Sequence, residues 1–143
     1  MRNLLEKSNE LVVAIHDLRQ PNDVRCSLHE YEGSLRDADV EALKNVFVAL
    51  VGEIGGNFEP EWEPIDLDRA RDSLELTLRF EMAYATQCVS DAEAADLAQR
   101  FFSHFEGGQA FVAAYDLTPA TYQVTFIVLS DTMAGILYIE DED

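Results

Sequence analysis

Along residues 3–19 the positions Leu4, Leu5, Ser8, Leu11, Val12, Ile15 and Leu18 recur at three- and four-residue steps until Pro21 stops the pattern. That period gathers them on one face of an amphipathic helix. In "DVRCSLHEY" the step changes to two. Val24, Cys26 and Leu28 alternate with Arg25, Ser27 and His29, as on a half-buried strand. The helical step returns in "SLRDADVEALKNVFVALVGEIGG", where Leu43, Val46, Phe47, Leu50 and Ile54 form an inward face. Ser34 and Asp37 have capping-box spacing at its start, and Gly55 and Gly56 end it by admitting positive φ.

"SLELTLRFEMAY" reads as the clearest strand of the chain, with Leu74, Leu76, Leu78, Phe80, Met82 and Tyr84 alternating with Glu75, Thr77, Arg79 and Glu81. "SDAEAADLAQRFFSHFEGG" repeats the earlier helix design: Ser90 and Glu93 form a capping box, Ala94, Leu97, Ala98, Phe101 and Phe105 form a core face, and Gly107 and Gly108 stop it. "QAFVAAYDL", a turn at "TPAT" and "YQVTFIVLS" read as a hairpin. Its apolar residues fall on both parities, so cover is expected on both of its faces, from the chain or from a second copy. "GILYIEDED" fits a short strand or a helix, and its four terminal acids read as a frayed, solvated tail.

Each capped helix is thus preceded by a strand and followed by Gly-Gly and an extended segment. The order predicts an α+β fold, a ferredoxin-like βαββαβ two-layer sandwich with an N-terminal helix and an additional C-terminal hairpin strand. A single domain spans 1–143: the helix over 1–20, the βαββαβ core over 22–117, and the extra strand with its acidic tail over 118–143. A chain of 143 residues buries enough surface to fold without a disulfide or metal.

In that order the second strand lies at a sheet edge, and "FEPEWEPIDLD", residues 58–68, occupies the slot. An edge tolerates Pro60 and Pro64, which cannot donate to a ladder. Glu59, Glu61 and Glu63 alternate with Pro60, Trp62 and Pro64. The parity then reverses to Asp66 and Asp68 against Ile65 and Leu67, and a bend near Pro64 would set all five acids on one side. Two readings stand together. One is an edge protected from sheet-to-sheet pairing by charge and proline. The other is a partner-binding strip of Glu59, Glu61, Trp62, Glu63, Asp66 and Asp68, with Trp62 as its anchor if exposed. The acids lack the central glycine of an EF-hand loop, so no metal site is expected.

Charge sharpens the second reading. The chain carries 28 acids against 10 bases, a net charge of −18, with 10 acids and 6 bases in residues 1–54 and 18 acids and 4 bases thereafter. Such a surface repels phosphate backbones and anionic headgroups, so neither nucleic acid nor membrane is an expected partner, and a basic protein is. No apolar run has the length of a membrane span or signal core, which predicts a cytoplasmic location. Cys26 and Cys88 lack C-x-x-C or metal spacing and read as buried, reduced thiols. His16, His29 and His104 are scattered without a spaced second ligand, and neither Gly-Gly pair belongs to a phosphate-binding motif. Neither a cofactor nor a catalytic residue is expected.

An N-terminal helix and βαββαβ order in a small, very acidic chain, with helix patterns such as "DADVEALKNVF", resembles the bacterial ribonuclease E inhibitor B family, the regulators of ribonuclease activity. The resemblance runs from "NDVRCSLHEY" to "AFVAAYDL", and the added strand "YQVTFIVLS" departs from it. It implies a non-enzymatic protein that inhibits an RNA-processing enzyme by binding it, and carries over no residues. The leading expectation is therefore an acidic inhibitor that masks a basic nucleic-acid- or nucleotide-binding cleft. A toxin immunity protein is its foremost form, and a ribonuclease regulator or a phage-encoded inhibitor of host defence are variants. The alternative is a ligand-sensing or oligomerising ferredoxin-like module, for which a homodimer would be expected. An enzyme using paired carboxylates lacks a nucleophile with a base at recognisable spacing.

Overall fold

The computed structural model describes residues 2–21, 23–32, 34–56, 61–113 and 122–141. Among them run β1 (Arg2–Asn3), α1 (Leu5–Arg19), β2 (Asp23–Glu30), α2 (Val40–Glu53), β3 (Trp62–Ile65), α3 (Leu67–Arg79), α4 (Asp91–Phe102), β4 (Gln109–Ala113), β5 (Tyr122–Leu129) and β6 (Met133–Asp141). The strands form one six-stranded sheet in the order β1-β2-β6-β5-β4-β3, antiparallel at every pair. The class is mixed α+β. The sheet is antiparallel throughout, as in a ferredoxin-like sandwich, but its six-stranded order differs from the one that βαββαβ connectivity gives.

Helices cover both faces of the sheet, giving three layers rather than two. On one face Leu11 and Ile15 of α1, Ala70, Leu74 and Leu78 of α3, and Leu97, Ala98 and Phe101 of α4 pack on Val24, Leu28, Phe126, Val128, Leu137 and Ile139. On the other, Val46, Leu50 and Val51 of α2 pack on Ile127, Leu129, Ala134, Ile136 and Tyr138. The alternation of strand side chains explains the division: successive residues of β5 and β6 serve opposite cores. These strands are buried on both faces and therefore central. The "YQVTFIVLS" strand, expected as an addition to a βαββαβ sheet, lies inside the sheet between β4 and β6, and the apolar residues of both its parities are covered within the chain. Gly135 of β6 lies under the ring of Phe105, where a Cβ would stand 2.5 Å from Phe105 Cζ.

The largest correction concerns "SLELTLRFEMAY": its residues 73–79 are the second half of α3 and the remainder is a bridge residue and a turn, not a strand. Ala70, Leu74 and Leu78, at four-residue steps, are fully buried, whereas Leu76 is 53% exposed. The two-residue alternation was incidental to a helical stripe that begins upstream at Leu67, in a segment rich in Leu, Arg and Glu, all good helix formers. The extended backbone of Phe80 ends the helix. A turn with Ala85 at positive φ then returns the chain so that Gln87 bridges Phe80.

Two other expectations also change. Helix α2 is capped by Asp39, whose side chain accepts from the Ala42 N–H, while Ser34 precedes a 3-10 turn at Leu35–Asp37 and bonds Asp131. Ser90 caps α4 as expected, accepting from the Glu93 N–H and donating to the Glu93 carboxylate at 2.8 Å. The C-terminal segment is the long strand β6, and its last residue, Asp141, is no solvated acid. It is buried and receives the Arg19 guanidinium at 2.5 Å and the Met82 N–H at 2.8 Å. Arg19 also donates to the carbonyls of Thr77 and Phe80. This cluster joins the ends of α1, α3 and β6. Ser8, the polar member of the α1 stripe, accepts from the Leu28 N–H and donates to the Leu4 carbonyl, closing the outer edge of β2.

Candidate functional site

The acidic segment lies where the fold puts an edge. Strand β3 pairs only with β4, in a register that sets Trp62 opposite Ala113 and Pro64 opposite Phe111. Trp62 thereby faces the α2 side of the sheet. Its half-buried ring meets Phe47 of α2 edge-on at 5.7 Å, and Phe47 meets Phe111 at 5.0 Å. Such tilted pairs satisfy the ring quadrupoles, so the three rings fasten the short edge strand to the helix behind it. Trp62 supports the strip from within rather than standing out as a free anchor.

Glu63, of the opposite parity, lies on the other face of the strand, and both it and Glu61 are exposed. The reversal of parity after Pro64 marks a change of secondary structure: β3 ends at Ile65 and α3 begins at Leu67, with Asp66 at the N-cap position. Asp66 makes no side-chain cap bond. Asp68 lies in the first turn of α3 with its side chain 92% exposed, 3.9 Å from Arg71. Both carboxylates suit the positive end of the helix dipole, a local reason for acids at this junction. Glu61, Glu63, Asp66 and Asp68 thus follow one another along the sheet edge and into a helix N-terminus. Glu59 lies outside the described residues.

The strip belongs to a chain with a large excess of acids, 28 against 10 bases. Among the described residues, six arginines are engaged by acids: Arg2 with Glu30, Arg19 with Asp141, Arg25 with Asp23, Arg71 with Asp68, Arg79 with Asp91 and Arg100 with Asp96. Each pair neutralises one acid with one base, so the net excess of acids is unchanged, and Arg71 offsets part of the charge of Asp68 within the strip itself. No helix among the described residues is long and apolar enough to cross a membrane, and no group of three His, Cys, Asp or Glu there is arranged to hold a metal ion.

Sequence reasoning missed one polar pair. Ser27 Oγ and His29 Nε2 lie 2.8 Å apart on the α2 face of β2, as S-x-H on a strand requires by parity. The spacing is that of a serine and its base, but both side chains are buried, and in this conformation the serine oxygen has no open path to a substrate. Burial lowers the His29 pKa, and Glu53 only partly opposes the shift. The cysteines are free. Desolvation pushes the Cys26 thiol up to about 12, which leaves it protonated and unreactive at neutral pH. Cys88, expected to be buried, is exposed beside the carbonyls of Leu78 and Arg79, and its pKa is also raised, chiefly by desolvation.

The chain matches no protein family profile, no curated protein and no solved structure. The arrangement is therefore read from its own chemistry: a rigidly backed, exposed carboxylate run suited to contact with a cationic surface.

Proposed function

We propose that the protein is a non-enzymatic acidic inhibitor that masks the basic nucleic-acid- or nucleotide-binding cleft of a cytoplasmic partner enzyme. A toxin immunity protein is the form we favour, and a ribonuclease regulator or an anti-defence inhibitor would use the same physics. The observation that carries the reading is the exposed run Glu61, Glu63, Asp66 and Asp68 along the β3 edge, on a chain of net charge −18. A cleft built from Lys and Arg to hold phosphate attracts such a run, which speeds encounter and excludes the phosphate ligand. The aromatic packing of Trp62, Phe47 and Phe111 holds the strip in one conformation, limiting the ordering cost of binding.

Charge reversal tests the strip. In the E61K/E63K/D66K/D68K variant, association with the partner at low ionic strength should slow by about ten-fold or more, with a flatter dependence on salt. Unchanged kinetics would remove the strip from the interface.

A further inference from the structure

Helix α1 carries three large apolar side chains that stand exposed: Leu5, Val13 and, near its C-terminal end, Leu18. Its inward stripe is Ser8, Leu11, Ile15 and Arg19, all buried. Leu5 is 61% exposed and Val13 57% exposed. They border an open depression on the outward face, lined among the described residues by Leu5, Glu6, Asn9, Glu10, Val13 and Asp17, together with Ala14. Leu5 and Val13 lie about 12 Å apart along the helix axis, at a rise of about 1.5 Å per residue. Three carboxylates flank them and no cation lines the face. Lys7 lies on the α4 flank of α1, where its charge adds to the burial that lowers the His104 pKa.

We infer that the outward face of α1 is a second docking surface, and that its occupant is a basic amphipathic helix of a partner protein. Apolar residues two turns apart on that helix would cover Leu5 and Val13, while Lys or Arg beside them would meet Glu6, Glu10 and Asp17. This is side-by-side helix packing on the outer face of a single helix, with apolar anchors supplying affinity and the flanking acids selecting the sign of the partner. An anionic lipid surface is repelled by the same acids. The inference is independent of the β3 strip, since the two features lie on different elements.

The probe is a labelled Lys/Leu amphipathic peptide of about 18 residues, long enough for five helical turns. Its controls are a Glu/Leu peptide and a Lys/Ser peptide of equal charge without an apolar face. Binding is followed by fluorescence anisotropy and by amide chemical shifts of the full chain. The Lys/Leu peptide should bind, with shift changes centred on residues 5–17, and both controls should bind weakly. L5S/V13S and, separately, E6Q/E10Q/D17N should each cut affinity by about ten-fold, whereas E61K/E63K/D66K/D68K should retain the shift pattern on α1. The charge variant touches no core residue, so it keeps the test available should L5S/V13S fold poorly. Absence of binding, equal binding of the Lys/Ser peptide, or shifts on the β3–α3 junction would overturn the inference. So would a dimer in light scattering that L5S/V13S abolishes, because the occupant would then be a second copy.

Discussion

Replacing Asp141 with alanine strips the Arg19 guanidinium of its counter-charge in a place where the two side chains are only 2% and 3% exposed. The carbonyls of Thr77 and Phe80 still accept from Arg19, but the Met82 N–H loses its acceptor. Removing one member of a buried ion pair costs about 3–5 kcal/mol, and an orphaned donor adds about 1 kcal/mol once water partly replaces the lost oxygen. A loss of about 4–6 kcal/mol is a large share of the roughly 5–15 kcal/mol that holds a domain together. With a urea m-value of about 2 kcal/mol/M, the unfolding midpoint should fall by about 2–3 M. Trp62, the only tryptophan, is packed on Phe47 and reports the transition by fluorescence. The double variant R19M/D141L should recover most of the loss, because apolar residues of similar volume need no counter-charge. A midpoint shift below about 0.5 M for D141A would refute the reasoning, since it would mean that water screens the pair.

Leu74→Ala should cost about 2–5 kcal/mol in the same assay, as for a fully buried leucine, and Leu76→Ala less than about 1 kcal/mol. Equal losses would restore the strand reading of this segment. His29 makes stability fall with acid. Burial lowers its folded pKa, so below about pH 6.5 the unfolded chain binds the proton more tightly, and stability present at neutral pH is lost as pH falls towards the folded value. H29Q should lose less stability than wild type between about pH 7 and 5, and parallel pH profiles would exclude the effect.

Local patterning carried much of the fold. The stripes of α2 and α4 are legible because a single core-facing period runs through each, and Ser90 and Glu93 mark the start of α4; in α1 the period holds for Ser8, Leu11 and Ile15, whereas Leu5 and Leu18 of the expected face stand exposed. The β3 edge is legible because Pro64 and its flanking glutamates suit no central strand. Helix α3 was misread because Leu74, Leu76 and Leu78 satisfy a two-residue period within a helix whose register is set earlier, at Leu67 and Ala70. Sheet order was not legible, since β6 pairs with β2 across the whole sequence, from Asp23 with Glu140 to Glu30 with Met133. Nor was the fate of Asp141, whose partner stands 122 residues away.

The same division holds at the candidate site. Exposure of Glu61 and Glu63 follows from the edge position, and Asp66 and Asp68 follow from a helix start that a correct reading of α3 would have revealed. The orientation of Trp62 depends on Phe47 and Phe111, contributed by two distant segments. Parity alone could have found Ser27 and His29, but their burial belongs to tertiary packing.

The most direct test is affinity capture from the source lysate at low salt, with tagged wild type and E61K/E63K/D66K/D68K in parallel, salt-gradient elution and mass spectrometry. The account predicts one basic nucleic-acid- or nucleotide-processing enzyme, near stoichiometric on the wild type, released by rising salt and missing from the variant. Retention of no such enzyme, or equal retention by the variant, would contradict it.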